Sequence, residues 1–240
     1  MKLALASLLA AALFFAGCAR RPPDLYWFVP PGTTILAGAD LDAVRASPVY
    51  SKLPPTVQAA VEPFQEAHYL LFAYNGKELL AILRGPFRKP PSDATLVGSD
   101  VALAGSPDVI RAAIAQEKLA KPGNPGLAAH ASKSAIWVAI QGGTALPLTG
   151  NAANLDRLLR DARYASITLQ PGNPIDVAAI VEATTPQAAM DVEQTLRAVI
   201  TLTAAADRRQ AALLHSIRIT RDDRTVHASV SAPPEALSMW

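Results

Sequence analysis

The sequence predicts an α+β protein: antiparallel β-hairpins with helices packed on one face, in an order that suggests two pseudo-repeated halves. Three observations carry this. Residues 68–74 and 77–84 are apolar runs joined by Asn75-Gly76, a dipeptide that tolerates the positive φ angles of a tight hairpin turn. Residues 216–220 and 225–231 alternate apolar and polar side chains around a charged four-residue turn, the pattern of a sheet with one buried and one wet face. Val109, Ile110, Ala113 and Ile114, and again Ala189, Val192, Leu196, Val199 and Ile200 with Leu202 or Thr203, recur at helical spacing.

Taken in order, residues 33–39 read as a buried strand, and Asp40 as the N-cap of a short helix. A second helical stripe, Val57, Ala60, Val61 and Phe64, runs into Pro63. The Asn75-Gly76 hairpin follows, then a Pro-rich loop over 85–93 and a second hairpin over 94–104 that turns near Gly98-Ser99-Asp100. Ser106-Pro107-Asp108 is a helix start, with Ser as cap, Pro at the first helical position and an acid in the first turn. Residues 118–133 carry Pro122, Gly123, Asn124, Pro125 and Gly126 and read as the linker between the halves.

The second half restates the order. It has a strand over 135–141, a helix over 152–162, strands over 164–169 and 175–183, a long helix begun at Thr184 or Thr185, and the last hairpin. Residues 34–37 and 135–138 occupy corresponding places, and the loop over 85–93 stands where the second half has its long helix. An α+β chain can also repeat such elements without a duplication. The expected division is 1–17, 18–25, 26–117, 118–133 and 134–240.

The first 18 residues organise the rest. Lys2 gives a positive start, residues 3–16 are apolar except for Ser7, and the run ends in Cys18, the single cysteine of the chain. Such a run is shorter than the roughly 20 residues a spanning helix needs, and it has the layout of a secretory signal. Phe15-Ala16-Gly17-Cys18 resembles the lipobox of bacterial lipoprotein precursors, with Phe15 where leucine is usual. The resemblance implies cleavage before Cys18, acylation of its thiol and attachment to a membrane. Two or more acyl chains anchor stably where one binds only marginally. Ala19, in place of the aspartate that retains Gram-negative lipoproteins in the inner membrane, implies the outer membrane. Residues 1–17 would then be the signal and 18–25 the lipidated tether.

Composition bounds the remainder. Of 240 residues 50% are hydrophobic, and 22 basic side chains face 20 acidic ones. The basic residues are scattered, which argues against nucleic acid. With Cys18 taken by lipid, no disulfide remains to staple the domain, so its core alone must hold it.

Chemistry leaves few marks. There is no nucleophile elbow and no phosphate-binding loop. Gly142-Gly143-Thr144 follows a strand and reads as a turn rather than an anion cradle. His68, His130, His215 and His227 lack a second ligand at metal-binding spacing. The acids read as caps, turns or partners of nearby basic residues, Asp100 as part of a turn. No catalytic, cofactor-binding or metal-binding residue is therefore assigned, and no cofactor is expected. The expected role is a non-catalytic binding or interaction protein of the envelope, taking a partner protein or an apolar ligand. A purely structural lipoprotein, and an enzyme without a recognisable motif, are the alternatives. Tyr26, Trp27, Phe28 and Trp240 would mark a contact surface if they were exposed together.

Overall fold

In the computed structural model, which describes residues 24–52, 64–88, 93–144, 159–206 and 211–235, ten strands form one antiparallel sheet. In chain order these are β1 (Ile35–Asp40), β2 (Tyr69–Tyr74), β3 (Leu79–Arg84), β4 (Ala94–Val97), β5 (Val101–Ala104), β6 (Ile136–Gln141), β7 (Ala162–Gln170), β8 (Ile175–Ala183), β9 (Arg218–Asp222) and β10 (Thr225–Ala232). The helices are α1 (Leu41–Ala46), α2 (Pro107–Glu117), α3 (Pro125–Ala129), α4 (Pro186–Ala206) and α5 (Ala211–His215), with a 3-10 turn over Leu25–Phe28. The α+β class and the antiparallel hairpins follow the sequence.

Across the sheet the order is β4-β5-β3-β2-β1-β6-β7-β8-β10-β9. Read outward from the β1–β6 seam, each half has the same order: first, second, third, fifth, fourth. The shift of 101 positions that aligns residues 34–37 with 135–138 carries β1 onto β6 end to end. The seam is itself a strand pair, Gly38 opposite Trp137 and Leu36 opposite Ala139, so both halves belong to one sheet. Residues 118–133 are packed rather than loose. Asn124 caps α3 through Leu127 N–H and donates to Thr33 O, and Leu127 is fully buried.

The helices take both faces of the sheet, a correction to the expected single face. The reason lies in the strands. In the first half, runs such as Leu80–Leu83 and Val101–Leu103 are buried without alternation, and a strand apolar on both sides needs cover on both. One face receives α2 and the 3-10 turn, through Val109, Ala113, Leu25 and Phe28 against Leu36, Leu71, Leu80, Ile82 and Leu103. The other receives α1, with Leu41 among Leu70, Leu83 and Ala102. In the second half β9 and β10 alternate, and β8 sets Asp176, Ala178, Ile180 and Glu182 on the side away from α4. The long α4 lies over their apolar side through Ala189, Val192, Leu196 and Ile200 against Val181, Ile219 and Val226. His227, Ser229 and Ser231 face the other way and are solvent-accessible.

Local chemistry sets the element ends. Asp40 caps α1 by accepting from Ala43 N–H at 2.9 Å, and Ser106 caps α2 through Val109 N–H. Thr185, not Thr184, caps α4, through Ala188 N–H. Thr184 instead donates to Asp161 O. Two expectations shift. Tyr74 pairs with Leu79, so residues 75–78 form a four-residue loop in which Asn75 Oδ1 accepts from the N–H of Lys77 and of Glu78. The side chain of Asn75 thus replaces the two-residue backbone turn. On α4, Val199 and Leu202 are exposed, because the stripe that meets the sheet ends at Ile200. The expected helices over 57–64 and 152–162 fall mostly outside the described residues, as do residues 89–92 of the loop over 85–93, Cys18 and Trp240.

Candidate functional site

Of the five strands on the first-half side of the seam, β1, β2 and β3 meet at one end, where β1 and β3 finish and β2 begins. Register sets Asp40 opposite Tyr69 and Tyr69 opposite Arg84, so an acid, a phenol and a guanidinium stand in one row. The loop before β6 brings Ser132, Lys133 and Ser134 alongside, and the start of the 3-10 turn brings Asp24 and Tyr26. These residues line a cleft of about 440 Å³, within the 300–1,000 Å³ common for small-molecule sites.

The back wall is built from aromatic rings held by hydrogen bonds. Trp137 is 1% exposed and its Nε1–H donates to the Tyr69 hydroxyl oxygen at 2.9 Å. It approaches so closely because β1 has Gly38 beneath it: a Cβ there would lie 2.4 Å from Trp137 Nε1 and 2.5 Å from the Tyr69 oxygen. Tyr26 stands 6.3 Å from Trp137, ring centre to ring centre, and also hydrogen-bonds Tyr69. Burial, then the neighbouring Tyr69 phenol, hold the Tyr26 hydroxyl well above the ordinary tyrosine value. The Tyr69 hydroxyl accepts from Trp137 and has one further acceptor site and its own proton to share between Tyr26 and the cleft.

The rim is polar and net acidic. Asp24 Oδ1 accepts from Tyr26 N–H, and Asp40 Oδ1 accepts from Ala43 N–H. Arg84 pairs with Asp100 at 3.4 Å. The Ser132 and Ser134 hydroxyls share a hydrogen bond of 3.1 Å, and Ser134 N–H donates to Ser132 Oγ. With Arg84 paired to Asp100, Lys133 is the cation left facing the carboxylates Asp24 and Asp40.

Tyr26 gives the cleft a pH signature. Its folded-state pKa is raised, so the stability it contributes is present below the ordinary tyrosine value near 10 and is lost as pH rises beyond it. Replacing Tyr26 by Phe is expected to flatten the fall in stability above about pH 10, measured as urea midpoints from pH 8 to 11. Equal slopes for the two proteins would refute the burial of this hydroxyl.

The remaining residues singled out in the sequence do not assemble. His68 Nδ1 lies 2.6 Å from Asp42 Oδ2 on an exposed surface. His130 stacks on Tyr164 at 4.4 Å, with Glu182 4.0 Å away. His215 ends α5, and His227 is exposed on β10. Among the described residues no group of three His, Cys, Asp or Glu side chains is placed to hold a metal ion. The Gly142 and Gly143 amides donate to Arg163 O and Leu159 O, so neither is left for an anion. Phe28 is fully buried while Tyr26 and Trp27 are half-buried, so the aromatic entry is a packing element and not one exposed patch. A second, polar groove of about 320 Å³ lies at the β9 edge, beside Ser216, Arg218 and Ser231. Across α4 and β9, Glu193 is hydrogen-bonded by Arg197 and Arg221, which hold its carboxyl below the usual range.

No family model matches the chain, and no curated protein matches it in sequence. Its fold is similar to that of TP0453. Crystal form III of that protein aligns with a TM-score of 0.53 at 9% identity, over 92% of this chain and 98% of that one. Form I gives 0.50 at 10% identity over 92% and 96%, and form IV gives 0.51 at 10% over 91% and 96%. The likeness is one of fold, over nearly the whole of both chains.

Proposed function

We propose that the chain is a membrane-anchored lipoprotein of the bacterial cell envelope, attached through Cys18, that acts as a non-catalytic binding protein. The observation that carries this reading is the placing of the cleft relative to the anchor sequence. Cys18, at the end of the signal-like run, is six residues before Asp24 on the rim of the cleft. At about 3.3–3.6 Å per residue, that tether holds the cleft within roughly 22 Å of the lipid. Ala19 favours the outer membrane, and no helix among the described residues is long and apolar enough to cross a membrane.

The chemistry of the cleft supports binding over catalysis. A nucleophilic hydroxyl needs a hydrogen-bonded base. Here Tyr69 is bonded to an indole and a phenol, and Ser132 and Ser134 to each other. The His68–Asp42 pair has the form of an oriented base, but among the described residues no hydroxyl is bonded to its other ring nitrogen. Polar side chains ring the cleft and Leu25 and Tyr26 give it apolar surface, so a ligand with both polar groups and an apolar face suits it; a partner protein fits the reading equally.

The test is the intact mass of the protein from a membrane fraction, with Cys18→Ser beside it. The expected mass is that of residues 18–240 plus acyl chains, lost in the variant. An unmodified mass, or a retained Met1, would overturn the anchor.

A further inference from the structure

The cleft has a composition that narrows its ligand. Arg84 is paired with Asp100, so the two carboxylates Asp24 and Asp40 face Lys133, and an anionic ligand would meet repulsion. Acceptors and donors lie side by side: Asp24 and Asp40 accept, Tyr69 and Lys133 can donate. Asp24 and Asp40 each spend one oxygen on a backbone N–H and keep the other. Lys133 makes no ion pair among the described residues. Tyr26 and Leu25 supply apolar surface beside these polar groups. A ligand suited to this wall is not anionic, has groups that donate and accept at once, and has a C–H face.

From this arrangement we infer that the cleft binds a saccharide of one or two rings, with Asp40 and Asp24 accepting from its hydroxyls, Tyr69 and Lys133 donating to them, and Tyr26 packing on its apolar face. A sugar hydroxyl is both donor and acceptor, so it can bridge a carboxylate and an adjacent phenol or ammonium, as Asp40 and its cross-strand neighbour Tyr69 require. The pair is preorganised. Asp40 is fixed as the cap of α1, and the Tyr69 oxygen is fixed by Trp137, so little freedom is lost on binding. The inference rests on the binding-protein reading and gives it a ligand class. The short tether would present the cleft to glycans near the membrane surface.

The experiment uses the mature protein extracted in a detergent without a sugar headgroup. Glucose, galactose, N-acetylglucosamine and their β-linked dimers are titrated by calorimetry and by saturation-transfer NMR. The expected result is saturable binding of at least one of them at millimolar Kd or tighter. Asp40→Asn should weaken it at least tenfold, with unchanged circular dichroism, since Asn caps a helix as well as Asp does. Lys133→Ala should weaken it less. Three results would each overturn the inference: no saturation by any sugar up to about ten times a millimolar Kd, binding indifferent to Asp40→Asn, or saturable binding of inorganic phosphate or choline in place of every sugar. Failure here with an acylated Cys18 leaves the lipoprotein reading standing. Sugar binding by an unacylated protein overturns only the anchor.

Discussion

Trp137→Ala is expected to be among the most destabilising single substitutions in the chain, at about 3–5 kcal/mol. The side chain is 1% exposed at the seam between the halves, opposite Gly38. Truncation opens a cavity the size of an indole, and the neighbours cannot close it, because Gly38 has no side chain to move in and the surrounding strands are paired on both edges. The Tyr69 hydroxyl loses its donor at 2.9 Å and Tyr26 loses its ring partner at 6.3 Å. For a domain of this size the loss corresponds to a fall in Tm of roughly 6–20 °C, at about 2–4 °C per kcal/mol. Trp137→Phe refines the test. It keeps a ring, deletes the donor and removes part of the buried indole, and should cost less than the alanine variant, because the Tyr69 oxygen lines the cleft and is not left buried without a partner. Urea denaturation of both variants checks the order. A loss under about 1 kcal/mol for the alanine variant would place Trp137 outside the core. The same variant should also weaken any ligand of the cleft, because Tyr69 is no longer held.

How much of this was legible in the sequence differs between the core and the site. The strands were readable because their apolar runs are bounded by Gly, Pro, Asn and Asp, and because the β9–β10 hairpin alternates strictly. The two-sided covering of the first half was written in the same runs: Leu80–Leu83 and Val101–Leu103 have no polar face to leave wet. The repeat was readable as an order of elements. The shared strand order and the match of β1 to β6 add a repeated topology to that order of elements. The cleft was not legible, because register makes it. Asp40, Tyr69 and Arg84 are far apart in the chain and look ordinary one by one: a cap, an aromatic at a strand start, a charge at a strand end. The available signal was that they sit at strand termini in alternation, last in β1, first in β2 and last in β3, which antiparallel pairing brings into one row. Val199 and Leu202 mislead for the opposite reason. Their spacing continues the apolar stripe of α4 beyond the sheet it covers.

The polar face of the second half follows from the same sequence logic. On that face β8 and β10 carry mostly small or polar residues, among them Asp176, Ala178, Ser229 and Ser231, with the exposed Ile180 as the exception. The first half has bulky aliphatics at the equivalent positions, which call α2 and the 3-10 turn onto that face. The strand order repeats, but the covering does not. The cleft lies where the 3-10 turn and the loop before β6 close over the row formed by Asp40, Tyr69 and Arg84.

The turn after β6 carries the second large effect. Gly142→Ala is expected to cost at least about 3 kcal/mol, above the ordinary range for overpacking a side chain. A Cβ on Gly142 would stand 1.7 Å from the carbonyl oxygen of Ala162 and 2.5 Å from its carbon. Both are backbone atoms and cannot rotate away. Gly142 N–H donates to Arg163 O at 2.9 Å, so the two chain segments are bound together where the new methyl group would have to enter. The β7 strand has its irregularity between Ala162 and Tyr164, and a shift there would disturb the pairing of Gln141 with Tyr164 and the seat of Tyr164 against Gly126 and His130. Gly143→Ala is the control, since the two neighbours are glycines for different reasons. Gly143 has φ near +73° with nothing within 4 Å of its virtual Cβ, so its cost is that of the left-handed angle, about 1–2 kcal/mol. Measured by urea denaturation, Gly142→Ala should be the more severe of the two. The reverse order would mean that backbone angle, and not the approach of β7, governs this turn.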